Sequence, residues 1–126
     1  MTHRRQDLGA RGEDAAAQWY EARGDVVVAR NWRCAEGEID LVVTDATGTT
    51  VVICEVKTRS SDRFGSPFEA VTVAKQRRLR RLAGRWLAQR RASGAPYATV
   101  VRFDVAGVTL NDTGGLVVEV IEAAFG

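Results

Sequence analysis

Two charged residues break into the most apolar segment of the chain. In TVVICEVKT, residues 50–58, Glu55 and Lys57 follow the run Val51, Val52, Ile53, Cys54 and flank Val56. Residues i and i+2 of a strand project to one face. Glu55 and Lys57 are therefore expected to emerge together on the face that Val51 and Ile53 begin, while Val52, Cys54 and Val56 keep the other face apolar. A carboxylate and an ammonium in such a strand cost desolvation energy unless they are paired or hold an ion. The preceding apolar segment, GEIDLVV at 37–43, places Ile39, Leu41 and Val43 on one face, with Glu38 and Asp40 on the other. The link TDATGT has turn chemistry, which predicts an antiparallel hairpin that brings Asp40 beside Glu55 and Lys57.

Two adjacent carboxylates repel and raise each other's pKa. A hard cation such as Mg²⁺, or Mn²⁺ in its place, relieves that repulsion because it takes oxygen ligands. With a lysine alongside, the set suits phosphodiester hydrolysis, in which a metal activates water and the cations offset growing negative charge. The same residues also suit a structural ion pair of Lys57 with Asp40 or Glu55. The residues alone leave both readings open.

The elements around the trio follow from periodicity. Residues 7–23 read as a helix, with Leu8, Ala15, Ala16 and Trp19 at helical spacing and Asp7 able to cap its start. Gly9 and Gly12 cost roughly 1 kcal/mol each relative to Ala. Their presence implies close packing, or a helix that starts after Asp7. Residues 25–30 read as a strand and NWRCAEG as a polar connection. Residues 37–43 and 50–58 form the hairpin, and 60–67 a loop. A second helix runs from about 70 to 92, with Leu79, Leu82, Ala83, Trp86 and Leu87 in one stripe. The strands 98–108 and 116–123 follow. The order α-β-β-β-α-β-β predicts an α/β fold with a mixed sheet flanked by helices, as one domain over residues 1–126.

Composition narrows the function classes. A hydrophobic share of 45% and a charged share of 27% allow a core without staples. No apolar run reaches the roughly 18 residues of a membrane span, and the polar N-terminus lacks a signal-peptide core. Cys34 and Cys54 lack zinc-type spacing; Cys54 is expected to be a buried thiol and Cys34 a bystander, which suits a reducing cytoplasm. Residues 71–103 hold nine basic residues and no acid, so the remainder carries nine basic against 16 acidic residues, a balance of −7. Such segregation implies a polyanionic partner or a solvated basic face. No acid within the second helix offsets its arginines at i+4.

Asp40 followed by Glu55-Val56-Lys57 resembles the PD-(D/E)xK signature of restriction-endonuclease-like nucleases. More closely, the chain resembles the YraN-like family of small bacterial proteins. The matching pieces are Gly9-Ala-Arg-Gly12-Glu13, Arg30-Asn31-Trp-Arg33, Gly37-Glu-Ile-Asp40-Leu, Glu55-Val-Lys57-Thr-Arg59 and Lys75-Gln76. Ile39 stands where the signature's name has proline. Archaeal Holliday-junction resolvases share the broader pattern.

The resemblance implies a restriction-endonuclease-like domain. It makes Asp40 and Glu55 metal ligands assisted by the Val56 carbonyl, Lys57 the catalytic lysine, Glu13 a further ligand or water positioner, and Gln76 a helix glutamine bordering the site. Glu38 is either an assisting acid or a surface one. Arg59, Lys75, Arg77, Arg78 and Arg81 are the expected nucleic-acid contacts. Trp32, in the polar connection, is a candidate nucleotide contact, and Phe64 and Phe68 are either substrate contacts or core. Trp19, Trp86 and Phe103 read as packing, and His3 as a residue of a fraying terminus. The expected activity is Mg²⁺-dependent cleavage of DNA in preference to RNA, selective for branched or processed structures. Symmetric four-way junctions would call for a homodimer. The competing readings are a nucleic-acid-binding protein that does not cleave, and a module whose basic helix binds an acidic protein.

Overall fold

The computed structural model describes residues 2–60 and 65–126, with side chains from Asp7 onward. Helix α1 spans Thr2–Ala22 and is followed by β1 (Val26–Cys34), β2 (Gly37–Thr44) and β3 (Thr50–Arg59). A 3-10 turn at Pro67–Ala70 leads into α2 (Val73–Ala92), then β4 (Val100–Leu110) and β5 (Leu116–Phe125). The expected order α-β-β-β-α-β-β is present. The five strands form one sheet in the order β1-β2-β3-β4-β5. Only β3 and β4 run parallel, and α2 provides the crossover between them.

Two apolar layers sandwich this sheet. On one face the α2 stripe, Leu79, Leu82, Ala83 and Trp86, buries against Val42, Val51, Ile53, Phe103 and Val105. On the other, Ala16, Ala17 and Tyr20 of α1 bury against Leu41, Val43, Val52, Cys54 and Val108. Each fully buried Leu or Val contributes about 1.5–3 kcal/mol, so the strand β3, buried on both faces through Cys54, anchors the whole molecule. Thr72 caps α2 by accepting the Lys75 backbone N–H at 3.2 Å.

Several expectations are corrected. Helix α1 begins at Thr2, so Asp7 lies inside it rather than capping it, and the helix does not start late. Its buried stripe is Ala16, Ala17 and Tyr20, one step around from the expected one, and leaves Trp19 half-buried under the Arg23 guanidinium. The second helix starts at Val73 because Pro67–Ala70 winds as a separate 3-10 turn. NWRC is no loop. Strand β1 continues through it, because Trp32 pairs with Ile39 and packs on the α2 layer, with its indole N–H donating to Gln89 at 3.0 Å. Cys34 also packs there, and Cys54 is a buried free thiol as expected. Phe68 packs against the same layer, whereas Phe64 and the side chain of His3 lie outside the described residues. Trp86 and Phe103 are core.

A candidate metal centre beside two lysines

Strand β3 leaves the core at Glu55: Val51 to Cys54 are buried, and the residues from Glu55 to Arg59 are half-buried. There Glu55 and Lys57 share a face as expected, with Lys57 Nζ 3.3 Å from Glu55 Oε2. Lys75, from the first turn of α2, reaches within 3.9 Å of the same oxygen. The two lysines perturb each other. Contact with Lys57, then burial, pushes Lys75 below the ordinary lysine range. Burial alone would lower Lys57, but the contact with Lys75 and the charge of Glu55 outweigh it and hold Lys57 above that range.

Asp40 arrives from β2 where the hairpin opens. Cα pairing of β2 with β3 stops at Leu41↔Cys54, so Asp40 and Glu55 face each other just beyond the last rung. In place of a backbone carbonyl, Asp40 Oδ2 accepts the Val56 N–H at 2.8 Å. The Val56 amide is thus the backbone group turned to this carboxylate. The opposite rung of the β1–β2 hairpin is irregular as well. Asn31, between the pairs Arg30↔Leu41 and Trp32↔Ile39, has φ 52. The expected alternation of β2 fails at this rung. Ile39 packs on the α2 layer, whereas Leu41 and Val43 pack on the α1 layer. Burial first, and the charge of Glu55 second, push the Asp40 carboxyl up to about 7 against the partial relief of the Val56 N–H.

Glu13 completes the set from α1. Gly12 makes this possible, since a Cβ there would overlap the Thr58 side chain on β3. The close-packing reading thus holds for Gly12, while Gly9 has nothing within 4 Å. Carboxylate oxygens of Glu13, Glu38 and Asp40 lie within 4.8 Å of one another. Three acids therefore share one spot, Glu55 adds a fourth carboxylate beside Asp40, and Asp40 has no ion pair among the described residues. An all-oxygen donor set with excess negative charge fits a divalent cation of the Mg²⁺ or Mn²⁺ class. Glu38 belongs to this set more closely than its sequence position indicated, although Arg33 also touches it at 3.2 Å. Its one sequence signal was the shared face with Asp40.

A cleft of about 270 Å³ runs from Glu38, Asp40 and Glu55 to Lys75 and Arg78. A larger groove of about 670 Å³ opens on the other side of Lys57, walled by Arg59, Ser66, Thr109 and Asn111. Its floor is Gly107, where a Cβ would overlap Pro67.

The remaining candidates are spread out. Gln76 donates its amide to the Val71 carbonyl, 3.2 Å away, and makes no hydrogen bond to the acids among the described residues. Arg59 donates to the Gly65 carbonyl at 3.0 Å. Arg81, 3.4 Å from Glu36, shares that acid of the β1–β2 turn with Arg85. The α2 arginines are thus partly compensated from outside their helix, which a search at i+4 could not reveal. Arg77 and Arg78 are exposed and make no ion pair among the described residues.

Comparison with known proteins places the chain in a family. Residues 12–108, which hold every member of the acid and lysine set, match the model of a family described as "Uncharacterised protein family UPF0102". A UPF0102 protein of Frankia casuarinae is 52% identical over 119 residues, covering 94% of this chain and 95% of the relative. One from Clavibacter michiganensis is 53% identical over 121 residues, 96% and 98% of the two chains. One from Beutenbergia cavernae is 54% identical over 112 residues, 89% and 90%. With a family model matched over most of its length and relatives of this identity, the chain belongs to UPF0102, the YraN family.

Proposed function

We propose that this protein is a divalent-metal-dependent nuclease that hydrolyses phosphodiester bonds in DNA, with a preference for branched or processed structures. One observation carries the reading. Asp40 sits half-buried among Glu13, Glu38 and Glu55 with no cation paired to it among the described residues, and a lysine pair stands next to Glu55. Purely structural charge clusters alternate in sign, because unrelieved like charges in a low dielectric are costly. Here Arg33 pairs with Glu38 and the two lysines with Glu55, whereas Asp40 and Glu13 have no ion pair among the described residues.

A bound Mg²⁺ or Mn²⁺ would be held by Asp40, Glu55 and Glu13, with Glu38 in reach, and would supply Lewis acidity toward a phosphodiester and its attacking water. The residues of the chain do the rest. Lys57, held in its charged form, offers a fixed cation to the phosphate as negative charge grows. Lys75 and Arg78 line the acid cleft and suit the neighbouring phosphates. The polar groove beyond Lys57 offers room for the adjoining nucleotides. Few side chains near the site suit base readout, which favours selection by shape. Arg77 and Arg78 extend the basic surface, whereas Arg81 is engaged with Glu36.

The test is cleavage of labelled duplex, single-strand, flap and four-way-junction DNA with Mg²⁺, Mn²⁺ or EDTA, beside Lys57→Ala. We expect metal-dependent cutting that falls by at least about 10²-fold in the variant. Absence of cutting on every substrate, with salt-sensitive binding that survives EDTA, would instead support a nucleic-acid-binding protein without catalysis. The Lys57–Glu55 ion pair at 3.3 Å is the observation that favours this second reading. Under either, reversing Arg77 and Arg78 to Glu should weaken DNA binding and flatten its salt dependence. Unchanged affinity would remove that part of α2 from the contact surface.

A further inference from the structure

We infer that Asn31 is the positioning residue of the carboxylate cluster, holding Glu13 in place for a divalent cation. The inference rests on the metal reading above and adds a residue to it. Among the described residues, only Asn31 and Ala123 adopt a positive φ without being glycine. If backbone freedom were the sole need at φ 52, glycine would meet it at least cost, and asparagine is the side chain that tolerates this region while bringing an amide.

That amide has a definite use. Asn31 Nδ2 donates to Glu13 Oε1 at 3.1 Å, and Glu13 makes no other hydrogen bond among the described residues. Since a carboxylate only accepts, the orientation of the amide is fixed by its partner.

The neighbouring acids are handled differently. Asp14, next to Glu13 on α1, is ion-paired to Arg30 at 2.6 Å, and Arg30 is the residue before Asn31. Glu38 touches Arg33 at 3.2 Å. So the same stretch of β1 meets Asp14 and Glu38 with guanidinium groups and Glu13 with a neutral donor. An arginine at that place would neutralise Glu13. An amide fixes its geometry and leaves its full negative charge, together with its second oxygen, for a cation. The positive φ at Asn31 lies on the rung opposite Asp40, so the residue that holds Glu13 also stands across from Asp40.

The experiment is a Mn²⁺ titration followed by the electron paramagnetic resonance signal of free Mn²⁺, on wild type, Asn31→Gly, Glu13→Ala and the double variant. Glycine accepts the positive φ, so Asn31→Gly should melt no lower than wild type. It should nevertheless bind Mn²⁺ about tenfold more weakly, and should add nothing in the Glu13→Ala background. Wild-type affinity in Asn31→Gly overturns the inference and leaves the metal reading standing, as does an equal loss with and without Glu13. A wild type that binds no Mn²⁺ overturns both.

Discussion

Asp104 in β4 and Asp40 in β2 are both reached by α1, and each lies beside a residue of positive φ. Asp104 is fully buried and receives four donors: the Tyr20 hydroxyl at 2.6 Å, Arg102 at 2.9 and 3.1 Å, and the Ala123 N–H at 3.0 Å. Arg102 also approaches Glu122, which pairs with Arg23 at 3.0 Å. Charges alternate along that chain of contacts. Burial pushes the Tyr20 phenol and the Cys54 thiol far above their usual ranges, so both stay protonated. Around Asp40 the donors are few and the neighbours are acids. The comparison separates two uses of a carboxylate withdrawn from water. One is satisfied internally and contributes stability, and the other is left short of positive charge and is ready for a ligand.

That contrast can be broken at either end, and the largest effect belongs to Asp104. Asp104→Ala strands Arg102 and Tyr20 without their acceptor and should lower unfolding free energy by about 3–5 kcal/mol in urea titrations. A loss under about 1 kcal/mol would make the two carboxylates equivalent.

Asp40→Asn should do the reverse and stabilise the metal-free protein. Its folded carboxyl holds a proton up to about pH 7 that the unfolded chain releases near 4. Its stabilising proton is therefore fully present below about pH 4 and lost as pH rises toward 7. The variant should gain about 2 kcal/mol at pH 8, after discount for partial exposure, and nothing at pH 3.5. Equal gains at both pH values would sink the charge-repulsion account.

Smaller changes probe how α1 reaches the site. Gly12→Ala meets the stiff, β-branched Thr58 and should cost about 1–3 kcal/mol while weakening Mn²⁺ binding through Glu13. Gly9→Ala, with open space around it, should gain about 0.5–1 kcal/mol in a thermal melt and leave Mn²⁺ binding unchanged. Matching effects at the two glycines would show that helix propensity, not the contact with Thr58, governs both.

Much of this arrangement was legible in the residues. The 3.6-residue stripe of α2 and the apolar run of β3 repeat a local geometry, so the pattern and the structure coincide there. The E-x-K spacing placed Glu55 and Lys57 on one face, and the turn between β2 and β3 brought Asp40 to them. NWRC reads as a polar connection because the alternation of β1 breaks at Asn31, and across from it Ile39 lies on the face opposite Leu41. Tyr20 was missed since α1 is nearly all alanine and polar residues near its middle, leaving its buried stripe ambiguous by one step.

By itself, then, the chain of residues determined its element order, its α2 core face and the meeting of Asp40, Glu55 and Lys57. These depend on periodicity within single elements and on one short hairpin. Tertiary structure alone decided that Lys75 crowds Lys57, that Glu36 holds Arg81, and that Asp104 is satisfied while Asp40 is not; it also brought to Asp40 the Glu13 that only the resemblance implied and the Glu38 that the residues left open. Each of those outcomes depends on how closely a helix approaches a strand and where a strand kinks. Such distances arise from packing between residues far apart in sequence, and no spacing along the chain encodes them.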